Sequence, residues 1–221
     1  MEEQSAGASN KYGNNLSSGR PLIWWFALSL VPLVASQVLR LHQPQAVDWL
    51  VWDYTGRITA LTILAAVPSA RVVAFRTTKR QISLIEIVLW IVGICFLDRL
   101  SQWPRYLLDA AFPATVLGAY PHSTGWLKSF DRSFGLALVA ASEEIIFRQY
   151  IRQAFRPYLG DGIFAILATS VLFGAYHWWA GLGNVLYATT FGILLMLMLG
   201  RSGALWRVVL AHYLVDLINF A

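Results

Sequence analysis

The chain reads as all-α, a polytopic transmembrane helix bundle of about seven spans, on three observations. Of its 221 residues, 57% are hydrophobic and only 13% are charged, roughly half the charged share of a soluble domain. The apolar residues gather into runs close to the ~20 needed to cross the hydrocarbon core of a bilayer. Ten Trp and nine Tyr supply the amphipathic rings favoured where membrane meets water. A net charge of +5 would suggest nucleic acid in a soluble protein; here it reads as basic cytoplasmic loops, and no nucleic-acid partner is expected. The single cysteine, Cys95, excludes an internal disulfide and a cysteine-based metal site and reads as packing.

The elements follow in order. Residues 1–20, with Gly7, Ser9, Asn10, Gly13, Asn14 and Asn15, are polar and read as a disordered cytoplasmic tail. The apolar run after them is long enough to span, so it reads as a retained first helix and not as a cleaved signal peptide. The seven spans fall at 21–39, 58–75, 82–97, 134–151, 163–179, 185–199 and 203–220. Pro32 and Pro68 should kink the first two. Residues 106–120 are apolar but few, and they include Asp109 and Pro113; they read as an interfacial or re-entrant helix, with an eighth span as the alternative. The organisation is then a tail (1–20), an N-terminal set of transmembrane helices with the interfacial segment (21–133), and a four-helix core (134–221).

Orientation follows from Lys and Arg in short loops. Arg71, Arg76, Lys79 and Arg80 lie between the second and third spans. Arg148, Arg152 and Arg156 follow the fourth, and Arg201 and Arg207 flank the turn before the seventh. Residues 180–184 carry no charge. These place the N-terminus in the cytoplasm and the C-terminus on the far side, while composition and the retained first span point to a bacterial-type inner membrane. Arg99, Arg105, Lys128 and Arg132 then lie outside, partly offset by Asp98, Asp109 and Asp131.

Ionisable groups inside spans are costly and mark functional sites. In the fourth span Glu143 and Glu144 are adjacent, so on an α-helix they point about 100° apart and cannot share one role. Glu144 and Arg148 stand at i, i+4, the orientation that favours an ion pair. Glu143 is then the working carboxylate, with Ala140 and Ser142 admitting a close neighbour. In the fifth span Phe173 and His177 share a face. In the seventh, His212 and Asp216 do, and the Asp can fix the tautomer of the His or share a ligand with it. Alone, His177 before Trp178 and Trp179 would be an aromatic belt, and His212 with Asp216 would be polar glue between helices. On three separate helices they suggest one assembled site.

In order and spacing, Glu143-Glu144-x-x-x-Arg148 with Phe147, then Phe173-x-x-x-His177, then His212-x-x-x-Asp216 resemble the three motifs of the CPBP family, the CAAX proteases and bacteriocin-processing proteins. The last position is often Asn in the prenyl endopeptidases of that family and is Asp216 here, as in its bacterial branch. The resemblance covers 134 to the C-terminus; the first three spans match no motif. It implies a glutamate-dependent intramembrane peptidase. Glu143, helped by His177, would deprotonate a water; His212 would stabilise the oxyanion; Asp216 would orient His212 or help hold the water; and Glu144, Arg148 and Phe173 would support them. Two histidines and two or three carboxylates could in principle coordinate zinc, but H-E-x-x-H spacing is absent, so no metal and no cofactor are expected. The partners expected are the bilayer, a membrane-anchored or lipidated peptide substrate and other membrane subunits. Two other readings use the same residues: a non-catalytic binding, immunity or accessory protein on the same fold, and a proton-coupled transporter, which the lack of inverted repeats weakens.

Overall fold

A computed structural model describes residues 19–76 and 82–220. Among them it is helical apart from turns, short connections and one isolated antiparallel bridge, Val116 with Ala180. The helices are α1 (Gly19–Arg40), α2 (Ala46–Ala66), α3 (Pro68–Ala74), α4 (Leu84–Ala111), α5 (Gly125–Phe130), α6 (Leu136–Glu143), α7 (Ile151–Leu159), α8 (Ile163–Tyr176), α9 (Leu182–Ser202) and α10 (Leu205–Phe220). Two π-helical stretches, Asp131–Gly135 and Glu144–Tyr150, join α5, α6 and α7 into one continuous helical run. Most of the expected tail lies outside the described residues, as do Lys79 and Arg80.

Among the described residues two helices are long and apolar enough to cross a membrane singly, Leu22–Arg40 and Leu182–Ser202; α2 and α3 pass the same test only as a pair bent by 114°. The expected second span, 58–75, is not one rod. Its helix begins at Ala46, because Asp53 and Arg57 are buried and paired within the bundle instead of ending the apolar run. Pro68, which lacks an amide hydrogen, then starts a new helix. Pro32 stays inside the uninterrupted α1. The third span, expected at 82–97, runs on through Pro104 to Ala111. Residues 106–120 therefore form no helix of their own: their first part closes α4, and a short 3-10 turn, Pro113–Thr115, leads into extended chain.

Small residues set the tightest packing. A Cβ at Gly56 would collide with Ser36 and the carbonyl of Pro32, so α1 and α2 meet backbone to backbone. Gly174 plays the same part between α8 and α9, against Thr189 and the carbonyl of Val185. The main apolar core joins Phe26, Leu33, Leu64, Ile146, Phe147, Tyr150, Phe173, Leu195, Val208 and Val215. Leu28, Val88, Leu89, Phe164, Val171 and many other apolar side chains face outward. A helical bundle that is apolar outside as well as within is an integral membrane protein.

Candidate active site

Three buried acids and one buried histidine, joined by the half-buried His177, meet within the bundle. The turn after α6 widens into the π-helical stretch Glu144–Tyr150, a local geometry common at functional sites. Glu143 and Glu144 consequently both face inward, on the two sides of one imidazole. His212 Nδ1–H donates to Glu144 Oε1 at 2.7 Å, while His212 Nε2 lies 3.9 Å from Glu143 Oε2 and 3.5 Å from Asp216 Oδ2. His177 follows the last turn of α8. Its Nδ1–H donates to the Phe173 carbonyl at 2.8 Å, which leaves Nε2 facing Glu143 Oε2 at 3.9 Å. Since a carbonyl only accepts, this contact fixes the His177 tautomer and keeps a lone pair on Nε2 in the neutral ring.

The supporting residues close around this centre. Arg148 Nε is 3.2 Å from Glu144 Oε2, and its guanidinium stacks 3.6 Å from the Phe173 ring centroid. Phe173 and Phe191 present edges to His212 at 6.2 and 5.1 Å between centroids. The structure thus brings Glu143, Glu144, Phe173, His177, His212 and Asp216 together, with Arg148 behind Glu144. Glu144 holds the Nδ1 side of His212 across the bundle, and Asp216 stands at the Nε2 side, its Oδ2 without a hydrogen-bond partner among the described residues.

The site opens into a cavity of about 660 Å³ lined by Glu143, His177, His212 and Asp216 at its inner end. Its outer part holds Arg99, Arg105, Lys128 and Arg132, with the extended residues 116–123 along one wall. That wall is tied down: Leu117 and Gly118 amides donate to the Trp179 carbonyl at 3.0 and 3.2 Å, and Tyr120 OH donates to Asp131 at 2.8 Å. Among the described residues no group of three or more His, Cys, Asp or Glu is arranged to hold a metal ion.

Four residues at the site come from α1 and α2 and were not singled out from the sequence. Arg57 Nη1 donates to Glu143 Oε1 at 2.8 Å and to Ser142 Oγ at 3.1 Å; its Nε donates to Asp53 Oδ2 at 2.8 Å. Arg40 also pairs with Asp53, and its guanidinium lies against the rings of Trp49 and Trp179, 4.2 and 4.4 Å from their centroids, where the two rings meet edge-on. Gln37 donates to the Tyr176 carbonyl and accepts from Trp178 Nε1, both at 2.9 Å, bracing the turn that carries His177. The available signal was Asp53 and Arg57 at i, i+4 in an apolar stretch, a self-neutralising pair that need not interrupt a buried helix.

No curated protein and no solved structure matches the chain. Residues 125–218 match the family model described as type II CAAX prenyl endopeptidase Rce1-like, a stretch that opens with α5 and takes in Glu143, His177, His212 and Asp216 but not Arg57. Residues 125–218 thus form an Rce1-like domain, similar to that of the type II CAAX prenyl endopeptidases.

Proposed function

We propose that the protein is an intramembrane peptidase that hydrolyses a peptide bond in a membrane-anchored or lipidated substrate, with Glu143 activating the attacking water. One observation carries the reading. Glu143 Oε2 is buried and, among the described residues, lacks a hydrogen-bond partner, yet it faces His177 Nε2 and His212 Nε2 at 3.9 Å each. A water about 2.8 Å from each of two acceptors fits across such a gap, donating one hydrogen to Oε2 and the other to His177 Nε2. Its lone pair then points away from both, toward the cavity.

In the first step the water oxygen bonds to the scissile carbonyl carbon as Glu143 Oε2 takes the proton. The carbonyl oxygen becomes an oxyanion, to which His212, acting as an imidazolium with carboxylates on both sides, donates from Nε2 while Glu144 holds the opposite side of the ring at Nδ1. Asp216, beside the same Nε2, keeps that donor oriented. In the second step the C–N bond breaks and Glu143 returns its proton to the leaving amine. Burial of the centre excludes bulk water and strengthens each of these interactions. The orientation argued from the basic loops belongs to this reading: the cavity mouth opens at the bundle end away from Arg71, Arg76, Arg152 and Arg201, on the non-cytoplasmic side.

The test is cleavage of a lipidated peptide library by purified protein in detergent or liposomes. Glu143→Gln should keep its fold and lose at least 1,000-fold in kcat/KM, roughly 4 kcal/mol of transition-state stabilisation. Cleavage by Glu143→Gln near the wild-type rate would end the proposal, and would favour a binding or accessory role.

A further inference from the structure

Arg57 is almost fully buried on α2, in the half of the chain that the family model leaves unmatched. Its guanidinium is planar, with donors in a rigid fork, so fixing one nitrogen fixes the direction of the others. Nε is held by Asp53 and Nη1 reaches Glu143 Oε1. Asp53 is itself gripped by Arg40, whose guanidinium packs against two indoles that also pack on each other. A stiff relay therefore runs from the Trp49 and Trp179 rings to one oxygen of one carboxylate. The terminal torsion of Glu is broad and roughly two-fold. Left alone, either oxygen of Glu143 could swing toward either histidine. With Oε1 occupied by Arg57, only Oε2 faces His177 and His212.

We infer that Arg57 is the positioning residue of the catalytic carboxylate, so that α2 completes the site carried by the 125–218 domain. The inference rests on the peptidase reading above. It does not ask Arg57 to touch substrate. It asks Arg57 to hold Glu143 in the one rotation that meets the water.

The experiment uses the full-length protein and the variants Arg57→Gln and Arg57→Lys. Arg57→Gln should lower kcat about 100-fold, the scale on which a small misplacement of a reacting group acts, with KM held within about twofold because ground-state binding is untouched. Arg57→Lys should recover about tenfold of that loss, since an ammonium is a compact cation that cannot bridge Asp53 and Glu143 as a fork does. Unchanged kcat per folded molecule in either variant overturns the proposal, and if Arg57→Gln does not fold the Lys variant carries the comparison alone. Thermal melts of Arg57→Gln, Glu143→Gln and the double variant read the clamp without reference to activity: non-additive Tm shifts support it, and additive shifts overturn it. Wild-type protein that cleaves nothing would sink the peptidase reading while leaving the thermal result to stand.

Discussion

Glu144 shows how a single carboxylate is asked for two things at once. It faces Arg148 with Oε2 and accepts from His212 Nδ1 with Oε1, and it is wholly buried while doing so. The sequence spacing made the first contact legible, because Glu144 and Arg148 stand one turn apart. The second depends on α10 packing beside α6 and could not be read from spacing. The same limit applies to Asp216: one turn from His212, it reads as orienting the ring or sharing a ligand with it, and it stands at Nε2 while Glu144 holds Nδ1. Glu144→Gln keeps the size of the side chain and removes its charge, leaving Arg148 uncompensated and the His212 donor free to reverse. We expect kcat to fall about 100-fold or more, by analogy with other imidazoles that lose their orienting carboxylate. Asp216→Asn should cost less, near tenfold, because an amide beside Nε2 still offers an acceptor oxygen. Single-turnover cleavage by the two variants under one condition checks the order.

At the scale of elements, the apolar runs were the legible part and the breaks within them were not. The helices at 163–179, 185–199 and 203–220 correspond to α8, α9 and α10 to within a few residues. The N-terminal half departs further. Charges inside α2 looked like a boundary because a linear reading prices Asp53 and Arg57 as solvated groups, whereas their mutual pairing makes them compatible with burial. The widening of the helix at Glu144 also leaves no mark in hydrophobic period, since π-helical turns come singly inside α-helices. Glycine contacts were equally silent: Gly56 and Gly174 matter only through the neighbours that a Cβ would strike. Gly56→Val should force α1 from α2, destabilising the protein by about 1–3 kcal/mol as overpacking does. Because Arg40 and Arg57 flank that seam, activity should fall with it; thermal unfolding in detergent and residual cleavage measure the two effects.

For the whole molecule, both ends are basic, but the charges sit differently. Arg71, Arg152 and Arg201 mark one end of the bundle, where Gln149 also donates to the Ala74 carbonyl at 2.7 Å and Arg201 pairs with Glu86 at 2.6 Å. The other end holds the cavity mouth. Arg99 and Arg105, which counted against the orientation when read as loop charges, pair with Asp98 and Asp109 and line the cavity, so they are poor reporters of topology. With the end marked by Arg71, Arg152 and Arg201 cytoplasmic, a cysteine at Thr124 near the mouth should react with an impermeant thiol reagent added outside intact cells. One at Gly162, where a side chain has open space, should react only after lysis. Cys95→Ser provides the background, and the opposite labelling pattern would invert the assignment.

The packing of Arg40 against both Trp49 and Trp179 has a practical corollary. Any occupant of the mouth that shifts this cation alters the polarity around two indoles at once. The protein thus contains its own unlabelled optical gauge of occupancy, read in the ultraviolet emission of tryptophan and assignable by replacing one ring at a time with phenylalanine.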